Sequence, residues 1–176
     1  MNTHAFKSLF FTLVLGVVLQ ACNGPSSEEP AAAAPEAAVT QAEIVALAGA
    51  PLFEGMGDHQ YPITTLNPWV QRYFNQGLVL DFAFNHAESV RAFKAAQKLA
   101  PDCAMCFWGE ALALGPNINV TSNGKATMSE QAQRDAYAAI QKALTLKANA
   151  SEKEAAFIDA LAMRYNGDPA TPREPQ

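Results

Sequence analysis

Cys103 and Cys106 are the residues of this chain whose type and spacing best fit chemistry. Three positions apart at the start of a helix, their sulfurs fall on one side of the first turn and within reach of one another. The free N–H groups and the dipole of that turn favour a thiolate over a thiol. Three readings stay open: a redox-active pair, a structural disulfide such as an oxidising compartment permits, and two small core residues that never react. Phe107 follows Cys106 where a haem-attachment motif needs histidine, which excludes covalent haem. A zinc or copper site needs further ligands, and the three histidines are His4, His59 and His86. His4 falls in an N-terminal leader. In an antiparallel hairpin His86 opens the helix that Cys103 follows, so about 14 residues at ~1.5 Å each hold them ~20 Å apart. His59, which precedes the hairpin, is expected near its cysteine end. Two cysteines and one histidine without a fourth ligand make redox or metal handling the alternative function, and no metal or cofactor is assigned.

The remaining polar residues name no reaction. No Ser/His/Asp order, paired-carboxylate site, glycine-rich phosphate loop or metalloprotease helix is present, so the chain is not read as an enzyme. Net charge is -5 and lysines and arginines do not cluster, which excludes DNA and RNA as partners. Asp81, the lone charge in an apolar stretch, needs solvent or a partner. His86 shares a face with Ser89, Val90 and Phe93 and is expected to bond the backbone of the loop from Pro116 to Asn119. Glu88 and Arg91, three apart, form a surface pair.

The elements that position these residues are helical. Asn67 and Pro68 read as an N-cap and a first-turn proline, and Val70, Tyr73, Phe74, Leu78, Leu80 and Phe84 recur at helical spacing. Asn85 with Glu88 restarts a helix through Val90, Phe93, Ala96 and Leu99, and Pro101 stops it. Asp102 is placed to cap a third helix, Cys103 to Leu114, after which a loop runs from Gly115 through Gly124. Thr127 with Glu130 opens a fourth helix, and Ser151 with Glu154 a fifth that runs to about Asn166. Five helices and no strand predict an all-α domain over residues 67–166. Upstream, residues 40–66 are an irregular segment with one short helix, capped by Thr40 and Glu43 and ended by Gly49 and Pro51. Leu52, Phe53, Tyr61 and Ile63 are too apolar to leave this segment in water, so it is expected to pack along the hairpin.

The hairpin resembles a tetratricopeptide repeat (TPR): Tyr73, Gly77, Ser89, Phe93, Ala96 and Pro101 stand at its large, small and proline positions. Phe107 lies 34 residues beyond Tyr73, one period of that repeat. The wording Phe84-Asn85-His86-Ala87-Glu88, Cys103-Ala104-Met105, Trp108-Gly109 and Pro116-Asn117, with Ala160-Leu161-Ala162 and Arg164-Tyr165, is similar to a family of large bacterial TPR proteins. Members of that family are much longer, so the resemblance implies a piece of a longer chain. It implies an array of antiparallel helical hairpins and leaves the activity open. It also implies a groove lined by the first helix of each hairpin, here Gln71, Phe74, Leu78 and Asp81, then Met105, Trp108 and Leu112. A protein or peptide partner is the expected occupant, and the chain's own apolar segment 51–66 or further repeats are the competing one.

Lys7 followed by an apolar run from Leu9 to Leu19 reads as a signal peptide over residues 1–21. The run ends in Leu19-Gln20-Ala21-Cys22, which resembles a bacterial lipobox, although Gln20 departs from the small residue usual there. An ordinary secretory cleavage site is the other reading. An acylated Cys22 anchors the chain to a membrane without spanning it. Residues 22–39, rich in Pro, Ala, Ser and Glu, read as a disordered tether whose ~18 residues reach about 60 Å. Asn23 in place of an inner-membrane retention aspartate implies the outer membrane of a Gram-negative cell, facing the periplasm. Residues 167–176, with three prolines, are expected to be unstructured.

Overall fold

Capping side chains set where most of the helices begin. In the computed structural model, which describes residues 39–168 apart from 118, 120, 123 and 124, Thr40 and Glu43 close a capping box that starts α1, Gln41–Ala48. Asn67 caps α2, Pro68–Phe82, by accepting the N–H groups of Trp69 and Val70. After a turn α3 runs His86–Leu99, with Asn85 at its N-cap position but without a side-chain cap bond. Ser151 and Glu154 close a second capping box that starts α6, Glu152–Ala162.

Besides Asn85, which makes no cap bond, two caps differ from the sequence expectation. The helix α4, Ala104–Ala113, is capped by Cys103 rather than Asp102: the Cys103 sulfur accepts the Cys106 N–H at 3.2 Å. The helix α5, Glu130–Thr145, is capped by Ser129 rather than Thr127, because Ser129 Oγ accepts the Ala132 N–H. A further difference lies in the loop before α5, where Thr121–Ser122 (β1) and Lys125–Ala126 (β2) pair antiparallel in two rungs. Every other regular element among the described residues is a helix, so the class is all-α. The signal peptide, Cys22 and the tether through residue 38 lie outside the described residues, as does the tail from 169. No described helix is long and apolar enough to cross a membrane.

Successive helices pack on one another: α2 on α3, α3 on α4, α4 on α5, and α6 against both α4 and α5, while α1 leans on α3. The core runs continuously through them. Phe93 of α3 is its centre, fully buried and set edge-on to Phe74 of α2 at 5.4 Å. Gly77 on α2 and Gly109 on α4 make room for it, since a Cβ built on either would run into the Phe93 ring. The Tyr165 hydroxyl donates to the Ala111 carbonyl at 2.6 Å, which ties the chain beyond α6 back to α4. Tyr73 does the same at the other end, donating to the Ala50 carbonyl at 2.6 Å, and burial raises its phenol above the ordinary value.

Candidate functional site

Between α1 and α2 the chain runs from Pro51 to Leu66 without a regular helix or strand, as a strap laid along α2. Side-chain amides of α2 hold its backbone. The Gln76 oxygen accepts the Phe53 N–H at 2.8 Å while its amide nitrogen donates to the Pro51 carbonyl at 3.0 Å. Gln71 repeats the arrangement, accepting from the Ile63 N–H at 3.0 Å and donating to the Tyr61 carbonyl at 2.8 Å. Asn75 accepts the Tyr61 N–H at 3.1 Å and also takes a bond from Gln71. Each amide carries a donor and an acceptor, so it can pair with an N–H and a carbonyl of the strap without regard to the side chains there.

Glu154 completes this surface from α6. Its carboxylate accepts the Thr64 N–H at 2.7 Å and the Thr64 hydroxyl, together with the N–H and hydroxyl of Ser151. Only 3% of the residue is exposed. Burial pushes its carboxyl up, but the bonds from Thr64 and Ser151 together outweigh that and hold it below the ordinary value. The strap's side chains add apolar contact: Tyr61 packs 6.3 Å from both Phe74 and Phe157, under the Lys153 ammonium at 5.1 Å.

The seven residues expected to line a groove therefore have different fates. Phe74, Leu78 and Met105 are buried in the common core. Gln71 is engaged by the strap. Asp81 bonds His86 at 2.8 Å. Trp108 and Leu112 are half-buried, and the Trp108 indole donates to the Phe157 carbonyl at 3.1 Å with the two rings 5.9 Å apart. The strap and α6 supply the internal cover, and Phe157 at its edge remains 39% exposed.

Cys103 and Cys106 are joined, sulfur to sulfur at 2.06 Å. Cys103 is 5% and Cys106 0% exposed, which leaves little surface for an attacking thiolate. His59 is not at the cysteine end. The strap runs along α2 so that His59 meets Phe82, at the opposite end of that helix from the cysteines, with ring centroids 6.4 Å apart. No group of three or more His, Cys, Asp or Glu among the described residues is arranged to hold a metal ion. His86 bonds Asp81 rather than the loop carbonyls expected for it, because the α2–α3 turn folds the two together. Glu88 and Arg91 do pair on the surface, and the guanidinium lowers the Glu88 carboxyl.

Asn75 and Gln76 were not singled out by type or spacing, and Glu154 only as a helix cap. The legible signal was Gln71 with Asn75, two amides four apart on α2. Comparison with family models, curated proteins and solved structures finds no match.

Proposed function

We propose that the chain is a lipid-anchored, TPR-like interaction or scaffold module of the bacterial cell envelope, held at Cys22 and facing the periplasm from the outer membrane. The observation that carries this reading is the amide ladder of α2. Gln71, Asn75 and Gln76 bind an irregular stretch of chain through its backbone, which is what a surface built to bind peptides does. Trp108 and Phe157 extend that surface beside the strap as a partly open aromatic ledge, and buried aromatics dominate interface energies. A protein or peptide partner seats there. The joined cysteines fit an oxidising compartment, and their burial favours a structural bond over a redox role.

One experiment in cells covers both halves of the proposal. The full chain carries a photo-crosslinking amino acid in place of Phe157, or in place of exposed Gln141 on α5 as a control, and cells are fed a fatty acid analogue. The expected result is label on wild type that Cys22→Ser abolishes, with a discrete protein adduct from position 157 and none from 141. Absence of label overturns the anchor. Equal or absent adducts at both positions overturn the interaction surface.

A further inference from the structure

The turn from α2 into α3 is built on a residue that local conformation does not favour there. The Asn85 N–H donates back to the Leu80 carbonyl at 2.8 Å and the Phe84 N–H to the Asp81 carbonyl at 3.0 Å, the pair of bonds that ends a helix through one left-handed residue. That residue is Phe84, with φ at 59°, at a position where glycine is usual because it has no Cβ to crowd the backbone. Phe84 recovers little by packing. Its ring meets the His86 imidazole edge-on at 6.2 Å, and the residue stays 57% exposed. Phe82, the last residue of α2, is 66% exposed and meets the His59 ring at 6.4 Å. Ala83 between them is exposed as well, and no lysine or arginine occurs from Gly77 through Val90.

Two exposed phenylalanines on one turn, one of them in a costly backbone conformation, mark a surface kept for something outside the fold. Its size narrows the occupant. The two rings offer on the order of 250 Å², about a third of the ~800 Å² that each side of a standard protein interface buries. An apolar tip without a basic residue suits instead the zwitterionic surface of a bilayer, where rings enter the boundary between headgroups and acyl chains and no anionic lipid is needed. We propose that the tip formed by Phe82 and Phe84 docks on the bilayer to which Cys22 holds the chain. The proposal rests on the anchor half of the function proposed above. The ~18 residues from Cys22 to Val39 reach about 60 Å, more than the breadth of a domain of ~130 residues, so the tip can come down on the membrane whichever side α1 starts from.

Spin labels on the acylated full chain test it in vesicles of phosphatidylethanolamine and phosphatidylcholine. With Cys22 acylated and Cys103 joined to Cys106, Ala83→Cys places a label at the tip, and Gln141→Cys places one on an exposed face of α5 as a control. The label at 83 is expected to be at least ~3-fold less accessible than that at 141 to a water-soluble nickel chelate, and more accessible to oxygen, which concentrates in the bilayer. Adding Phe84→Gly is expected to remove that protection while the thermal midpoint stays level or rises, because glycine suits the left-handed position. Equal nickel access at 83 and 141 in chains that float with the vesicles overturns the docking and leaves the anchor standing. Chains that do not float overturn both. A lower midpoint with Phe84→Gly overturns the inference too, since Phe84 then serves folding. Protection at 83 that persists without vesicles, in a chain that sediments as a dimer, assigns the tip to a second copy instead.

Discussion

Replacing Phe93 by alanine is expected to lower the folding free energy by ~3–5 kcal/mol, read from the shift of the urea midpoint followed by circular dichroism. The ring is fully buried and touches three helices at once: its own α3, α2 through Phe74 and Gly77, and α4 through Gly109. Removing it leaves a void that the two glycines cannot fill, since neither has a side chain to move. A domain of this size has only about 5–15 kcal/mol of stability in all, so the loss is a large fraction of it. The complementary change, Gly109→Ala, is expected to destabilise as well, because its methyl group enters space the ring holds. If Phe93→Ala costs less than about 1 kcal/mol, the three helices do not share a core there.

Glu154→Ala is the second large effect, with an expected loss of ~2–4 kcal/mol, and it brings a pH signature. Four donors, two from Thr64 and two from Ser151, converge on this one buried carboxylate. Its folded-state value is depressed, so the stability it contributes is fully present above the ordinary carboxyl value of 4.5 and is lost as pH falls through the lower folded value. Wild type is therefore expected to weaken as pH falls across that window, and Glu154→Ala to flatten this part of the curve. An unchanged acid limb in the variant would mean that other carboxylates govern it.

What the sequence made legible follows from how local each signal is. The boxes at Thr40/Glu43 and Ser151/Glu154 rest on side chains three residues apart, and both form. Gly77 and Phe93 were legible as small and large partners because packing of neighbouring helices demands that pairing. The cap at Cys103 escaped notice because sulfur is a weak acceptor that spacing rules do not rank. His59 was expected at the wrong end of α2 because nothing local fixes the course of an irregular strap. That course is set by amides eight to twenty-five residues downstream. His86 found Asp81 rather than the distant loop because the positive φ of Phe84 turns the chain back upon itself, a conformation no propensity predicts for phenylalanine. Glu154 served as a helix cap in the sequence, and its second role, gripping Thr64 across 90 residues, needs the fold to exist first.

Amide hydrogen exchange of the full chain tests the central claim most directly, that the α2 face with Glu154 binds a stretch of chain through its backbone. The N–H groups of Phe53, Tyr61, Ile63 and Thr64 lie outside any helix, yet each donates to a side chain of Gln76, Asn75, Gln71 or Glu154. The account predicts that these four exchange far more slowly than their strap neighbours, and that Gln71→Ala releases Ile63 while the amides of α2 stay protected. Strap amides that exchange at free-peptide rates beside a protected α2 would contradict it.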